Sequence, residues 1–341
     1  MKINTTSKVI VYHDETGISS LKGHALLFIP NNLNTRREQT LYGTLEDDIA
    51  CRKLIYDRIM EVRKNHGVLE HKFHFSKISG EKWIERDIAE RKIVDLGVDA
   101  LRRKRPQKFN VPLCCKLAII YYHASNKLKS YYKGNHKERI LEYDETLLRM
   151  LLKGSVHLLY DVNNQVEILK IITGGEPYHR KISEDRVLQR LTHDEQSTTS
   201  QLRPYVSIRQ DAEIIHKFSD HKKYQLDSEE YIDSNMLQLV DMLLGSVNHS
   251  CYEEAATSSS TPPIGSKIKD KKGIVAYSVK EMLNKKRERG TGFINSSHYR
   301  SFALSEASIR NGSWVFEEVI TKELENHTDV NQPRLFNRAT Q

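Results

Sequence analysis

The sequence predicts an α/β fold with a mixed central sheet flanked by helices, and three observations carry that expectation. Apolar runs rich in β-branched and aromatic residues open the chain, at 8–13 (KVIVYH) and 24–29 (HALLFI). Amphipathic segments with helical spacing then alternate with further apolar runs, and strands followed by strand–helix alternation indicate a mixed sheet. At 341 residues the chain is long enough for one large domain, or two modest ones, with a sizeable core.

Each element follows from its local pattern. The run 8–13 should stop at Asp14-Glu15-Thr16-Gly17, and its short connection to 24–29, closed by Pro30, favours an antiparallel hairpin. Residues 31–44 are polar and loop-like. Residues 45–64 place Ile49, Leu54, Ile55, Ile59 and Val62 along one helical side, and Gly67 breaks the pattern. The segment 70–76 (EHKFHFS) alternates like a strand, with Phe73 and Phe75 inward and Glu70, Lys72 and His74 on the other face. A charged helix is expected over 81–103 and a buried strand over 113–123. A further helix over 138–160 has Ile140, Leu141, Leu147, Leu148, Leu151 and Leu152 on its apolar face. VEILKII (166–172) reads as a strand closed by Thr173-Gly174-Gly175, with another short strand at 205–208. The last strong core helix is 234–248. AATSSSTPPIGSK after it has the composition of a linker or exposed loop, and a basic helix near 276–289 and strand-like pieces around 314–319 follow. These boundaries suggest a core domain over 1–252, a linker or loop over 253–272 and a C-terminal extension over 273–341.

Composition narrows the function classes. The chain is 38% hydrophobic and 29% charged with only 16 Gly and 8 Pro, which excludes collagen-like, low-complexity and mainly disordered chains. No run approaches the roughly 18 apolar residues of a spanning helix, and charge arrives too early for a signal peptide, so a soluble cytoplasmic protein without a membrane partner is expected. Cys51, Cys114, Cys115 and Cys251 match neither a disulfide scaffold nor a zinc knuckle. The net charge of +8 favours a polyanionic partner. Basic side chains concentrate in 101–108 (LRRKRPQK), which includes Arg102, Arg103, Lys104 and Arg105, in 127–139, and in 267–289. Tyr131 and Tyr132 interleave the second stretch, a mixture suited to phosphate contact with base stacking; a solvated basic face is the plainer alternative. No GxxxxGK, GxGxxG or GxSxG motif occurs, which argues against a nucleotide-fuelled enzyme and the usual hydrolase elbow.

Three places bear carboxylates of interest. Asp14 and Glu15 close an apolar strand, at the rim where α/β folds put their sites, although Asp-x-x-Gly is also ordinary turn chemistry. On the helix 234–248, Ser234, Gln238, Asp241, Gly245 and Asn248 form a stripe about 80° wide in an otherwise apolar surface. Asp241 therefore enters a dry region, where a backbone amide, an Arg or a divalent cation must satisfy it. Gly245 removes bulk one turn on, and Asp233 reads equally as a helix cap. Glu70 opens the alternating segment, with Lys72 and His74 on its face; His71 and His74 have no third partner at a zinc spacing.

Taken in order, VIVYHDETG, the Glu70-His-Lys-Phe-His-Phe-Ser segment and Asp233-Ser-Asn-Met-Leu-Gln-Leu-Val-Asp241-Met-Leu-Leu-Gly245 resemble the bacterial domain-of-unknown-function family 3800. The family shows a strand ending in Asp-Glu-Ser-Gly, a Glu-Leu-Lys-x-Ser segment and an Asp-Ser…Leu-Gln-Leu-Ala-Asp-Leu-x-x-Gly helix. The resemblance implies a ribonuclease-H-like fold over roughly 8–250, in which acids gather divalent ions that activate water for in-line displacement at phosphorus. By that resemblance Asp14, Glu70 and Asp241 are Mg²⁺ or Mn²⁺ ligands and, with Glu15 beside them, the catalytic acids. Lys72, Arg102, Arg103, Lys104 and Arg105 would meet nucleic acid. The strand 166–172 departs from the pattern by running into Thr173-Gly174-Gly175 where such folds often place an acid. The implied function is a metal-dependent nuclease acting on DNA or RNA, in phage defence or mobile-element biology. The alternative is a nucleic-acid-binding or adaptor protein that keeps the fold without cleaving; a protein partner or homo-oligomer is compatible with either.

Overall fold

A computed structural model describes residues 5–18, 21–31, 51–102, 109, 113–123, 136–160, 164–174, 182, 187–188, 206–208, 212–252, 260–288, 301–310 and 313–318. The chain divides into two compact units, each assembled from separated segments. The first comprises Met1–Phe28, Lys116–Lys217 and Gly292–Gln341; the second comprises Ile29–Cys115 and Phe218–Thr291. No described helix is long and apolar enough to cross a membrane.

The first unit is built on one mixed eight-stranded sheet, so the fold class is α/β. Its strands are β1 (Thr5–Ile18), β2 (Leu21–Pro30), β3 (Lys116–His123), β4 (Asn164–Gly174), β5 (Val206–Ile208), β6 (Ile214–Lys217), β7 (Phe302–Arg310) and β8 (Ser313–Glu318). The order is β5-β4-β1-β2-β3-β7-β8, with β6 also on β4. β1 runs parallel to β4, β4 to both β5 and β6, and β3 to β7, whereas β2–β3 and β7–β8 are antiparallel. The period of two sends Val9, Val11, Leu26, Phe28, Ala118, Ile120 and Tyr122 into one core. A helix, α3, covers that face: His136–Leu159 contributes Leu147, Leu148, Leu151 and Leu152 to the same core, as its apolar stripe predicts. Gly154 keeps α3 close to β8, because a Cβ there would stand 2.2 Å from Cζ of Phe316.

β1 does not stop at Asp14; it continues to Ile18, so the Asp-Glu-Thr-Gly stretch is strand rather than turn. β6 and β7 are additional strands that the sequence pattern does not announce. β7 and β8 add to the sheet beyond β3.

The second unit is helical among its described residues: α1 (Cys51–Asn65), α2 (Glu85–Ala100), α4 (Glu229–Tyr252), α5 (Lys271–Val275) and α6 (Tyr277–Glu288). On α1 the buried stripe is Cys51, Ile55, Tyr56, Ile59, Met60 and Arg63, with Leu54 and Val62 at its margins. Arg63 is buried because its guanidinium is fully engaged. It donates to Asn235 Oδ1 at 3.0 Å and Gln238 Oε1 at 2.8 Å, and lies 4.2 Å from the Phe73 ring centre. Burial lowers its pKa to about 10, so it stays charged at neutral pH. Asp233 is not a cap: it lies inside α4, buried, and accepts from Arg52 Nη1 at 2.7 Å.

The segment 70–76 is a correction to the sequence reading. It joins no sheet; after a turn it runs extended and enters a short 3-10 helix, Phe75–Lys77. Its alternation has another cause. Phe73 N donates to Gln238 Oε1 and Phe75 N to Asp241 Oδ2, each at 2.8 Å, so side chains on α4 replace the partner strand. Phe73 and Phe75 are buried as expected.

Candidate metal centre and the Asp241 corner

The sheet rim where parallel β1 and β4 end carries the first site. Successive residues of a strand face opposite sides, so His13 and Glu15 point toward the α3 face while Asp14 points to the other. His13 pairs in register with Thr173, and its Nδ1 lies 2.7 Å from Thr173 Oγ1. Asp14, half-buried, lies over Gly174, whose Cβ would stand 3.0 Å from Asp14 Oδ1. The strand therefore does not bring Asp14 and Glu15 to one place.

On the α3 face, Glu15, His24 and Asp144 offer ligand atoms that all lie within 4.8 Å of one another. β1 supplies Glu15, which is exposed, β2 supplies His24 and α3 supplies Asp144, both buried. His24 Nδ1 lies 3.0 Å from His13 Nε2, and the two rings stack with centroids 5.2 Å apart. Its other nitrogen, Nε2, lies 3.6 Å from Asp144 Oδ1. One acid and one imidazole are thus enclosed while the second acid opens to solvent, an arrangement that would leave a bound ion open on one side.

Burial dominates the electrostatics of the two histidines. It lowers both pKa values to about 3, aided at His13 by the neighbouring His24 and opposed there by Glu15, and aided at His24 by Lys22. Both rings are therefore neutral at pH 7, the form that ligates metals. The unfolded chain protonates them near the ordinary value of 6.5, so between about 6.5 and 3 it binds more protons than the folded chain. Folding stability should be at full strength above about pH 6.5. Below it, stability should fall by about 1.4 kcal/mol per pH unit for each histidine. Urea midpoints of the metal-free protein measured from pH 8 to 4.5 check this; a midpoint unchanged down to pH 5 would contradict the neutral pair.

The second unit holds the other acids. Asp241 accepts from Phe75 N and from His74 Nδ1, both at 2.8 Å on Oδ2, so the backbone-amide alternative is part of its environment. His74 Nε2 lies 3.2 Å from Ser76 Oγ. Gln238, one turn earlier on α4, is buried and donates to Ser219 O. Gly245, one turn later, is the close approach expected of it: a Cβ would stand 2.4 Å from Phe75 Cβ. Gly245→Ala should therefore push away the turn that feeds Asp241 and cost about 1–3 kcal/mol. A denaturant series checks this, and a change below about 0.5 kcal/mol would contradict it.

The remaining residues are placed as follows. Glu70 is exposed on the turn before the extended segment, near enough for its charge to act on Arg63 and His221. Lys72 is half-buried and makes no ion pair among the described residues. Arg102 pairs with Asp99 at 3.0 Å at the end of α2. Arg103, Lys104 and Arg105 lie outside the described residues. His71 and His74 belong to separate pairs, with Glu90 at 3.0 Å and with Asp241. All four cysteines are free thiols.

Sequence reasoning missed His13, His24, Asp144 and Thr173. Asp144 had a signal: it stands on the apolar side of α3, three and four residues before Leu147 and Leu148. The histidines had none, since each sits in an apolar run that reads equally as core. Comparison of the chain with known protein families, characterised proteins and solved structures finds no match.

Proposed function

We propose that the protein is a divalent-metal-dependent nuclease of the family-3800 type, hydrolysing phosphodiester bonds of nucleic acid. The observation that carries this reading is the convergence of Glu15, His24 and Asp144 at the rim where parallel β1 and β4 end. Two carboxylates and a neutral imidazole suit a divalent ion, and ligand atoms within 4.8 Å accommodate bonds of about 2.0–2.3 Å. The strand order β3-β2-β1-β4-β5, with β4 parallel to β1 and β5 parallel to β4, supports the ribonuclease-H-like interpretation.

A bound Mg²⁺ or Mn²⁺ would polarise a phosphoryl oxygen and acidify a water. The chain itself encloses one side of the site with His24 and Asp144 and leaves Glu15 at the solvent edge, where a polymer backbone can reach. The family resemblance implied Asp14, Glu70 and Asp241 as ligands; Asp14 faces away from Glu15, and this reading takes Glu15, His24 and Asp144 instead. Lys72 and the basic run Arg102–Arg105 draw in phosphates, a partner interaction that weakens steeply with salt.

The test is cleavage of single- and double-stranded DNA and RNA with Mn²⁺, with Mg²⁺ and with EDTA, for the wild type, Glu15→Gln and Asp14→Asn. The reading expects cutting that EDTA and Glu15→Gln abolish while binding persists. One observation favours the non-cleaving adaptor: β4 ends in Thr173 and Gly174 with no carboxylate. Salt-sensitive binding that needs no metal and yields no product would establish that alternative instead.

A further inference from the structure

We infer that the rim centre is an imidazole-ligated site that selects Mn²⁺ over Mg²⁺, with His13 and Thr173 as positioning residues that aim a bare nitrogen of His24 at the ion. This inference rests on the cation reading above and adds to it the class of ion and the device that sets it.

Thr173 Oγ1 lies 3.4 Å from Gly174 O and 2.7 Å from His13 Nδ1, and we assign its proton to the carbonyl and its lone pair to His13. His13 therefore carries its proton on Nδ1 and offers a lone pair at Nε2. His24 Nδ1 stands 3.0 Å from that lone pair and must be the donor. An imidazole that ligates a metal carries one proton; here that proton sits on Nδ1 facing His13, which leaves Nε2 bare. That bare nitrogen belongs to a side chain 1% exposed. It makes no hydrogen bond among the described residues; the Asp144 carboxylate oxygen lies beyond that reach at 3.6 Å. That nitrogen and one oxygen from each of Glu15 and Asp144 lie within 4.8 Å of one another, a spacing one ion can bridge.

The order of the chain matters chemically. Metal-bound histidines characteristically give their second nitrogen's proton to a fixed acceptor, which holds tautomer and ring plane. Here that acceptor is another imidazole, itself held by Thr173 on the neighbouring strand. Mg²⁺ prefers an all-oxygen shell and keeps its waters, whereas Mn²⁺, though also an oxygen binder, tolerates one imidazole nitrogen beside two carboxylates. Thr173 thus has a use at the point where β4 lacks an acid: it orients a ligand instead of being one.

The experiment uses the full chain with Mn²⁺ and Mg²⁺ themselves as probes. Pulsed EPR of the Mn²⁺-loaded wild type should show ¹⁴N coupling from a bound imidazole, a readout that needs no mutation. Calorimetry should give Mn²⁺ an affinity roughly tenfold or more above that of Mg²⁺. Thr173→Val should weaken Mn²⁺ binding by about 10–100-fold, and Thr173→Ser should restore it. His24→Gln should remove the ¹⁴N signal. Mn²⁺ bound without ¹⁴N coupling, Mg²⁺ bound equally well, or Thr173→Val binding like wild type would each overturn the inference. Cleavage by a centre that lacks ¹⁴N coupling overturns only imidazole ligation. A fully coupled centre that cuts no nucleic acid overturns only the nuclease reading.

Discussion

Asp144→Asn is expected, on the proposed nuclease reading, to reduce metal-dependent cleavage by roughly a thousandfold or more while the fold survives. The change keeps side-chain volume and removes one negative charge from the enclosed side of the rim centre, where Asp144 is 2% exposed. A metal-polarised phosphoryl centre owes several kcal/mol of its barrier reduction to the ion, and each 1.36 kcal/mol is tenfold in rate. A lost ligand therefore exceeds anything expected from a change in the basic stretches, which weakens binding incrementally. Rates measured under saturating nucleic acid, with circular dichroism to establish folding, check the prediction. A folded Asp144→Asn protein that cuts within tenfold of wild type would remove Asp144 from the site.

Lys271→Met should be the most damaging change to the helical unit, at about 3–5 kcal/mol. Lys271 is 5% exposed and Asp87 0%, and Nζ meets Asp87 Oδ2 at 2.7 Å. The same oxygen accepts from Ile84 N at 2.8 Å and so closes the first turn of α2. Nζ also donates to Ser79 O at 3.2 Å. Removing the ammonium leaves an ionised carboxylate enclosed with its countercharge gone, a cost the methionine's packing does not offset. Lys271→Met with Asp87→Asn should recover part of the loss, because the second change deletes the stranded charge. A single-variant loss below 1 kcal/mol by urea denaturation would contradict the buried pair's role.

Much of the architecture was legible in the chain because periodicity is a direct imprint of burial. The stripe of Leu147, Leu148, Leu151 and Leu152 located α3, and Val9 and Val11 located the core side of β1. What escaped had physical reasons. Phe302, Ala303 and Leu304 of β7 are all buried, so the strand shows no alternation, and Ala and Ser add little strand preference. β6 is four residues long, too short for a period to register. The segment 70–76 has the alternation of a strand because it does pair its amides, but with Gln238 and Asp241 on a helix.

The site was half legible for a similar reason. Asp14, Glu15 and Asp241 were found as acids at the ends or on the stripes of apolar elements. Taking the first strand to stop at Asp14 concealed that β1 runs on, which puts Asp14 and Glu15 on opposite faces. His24 gave no warning, because an imidazole in an apolar run is more often a satisfied core residue. Only the register of His13 with Thr173, set by a parallel pairing 160 residues apart in sequence, reveals why it matters.

The most direct test of the central claim is a calorimetric titration of Mn²⁺ into the full chain and into Glu15→Gln. Glu15 is exposed, so its substitution leaves the core undisturbed. The wild type should give a saturable signal that Glu15→Gln weakens by at least about a hundredfold. Equal Mn²⁺ binding by the two folded proteins, or none by the wild type, would contradict a cation centre at the rim of this sheet.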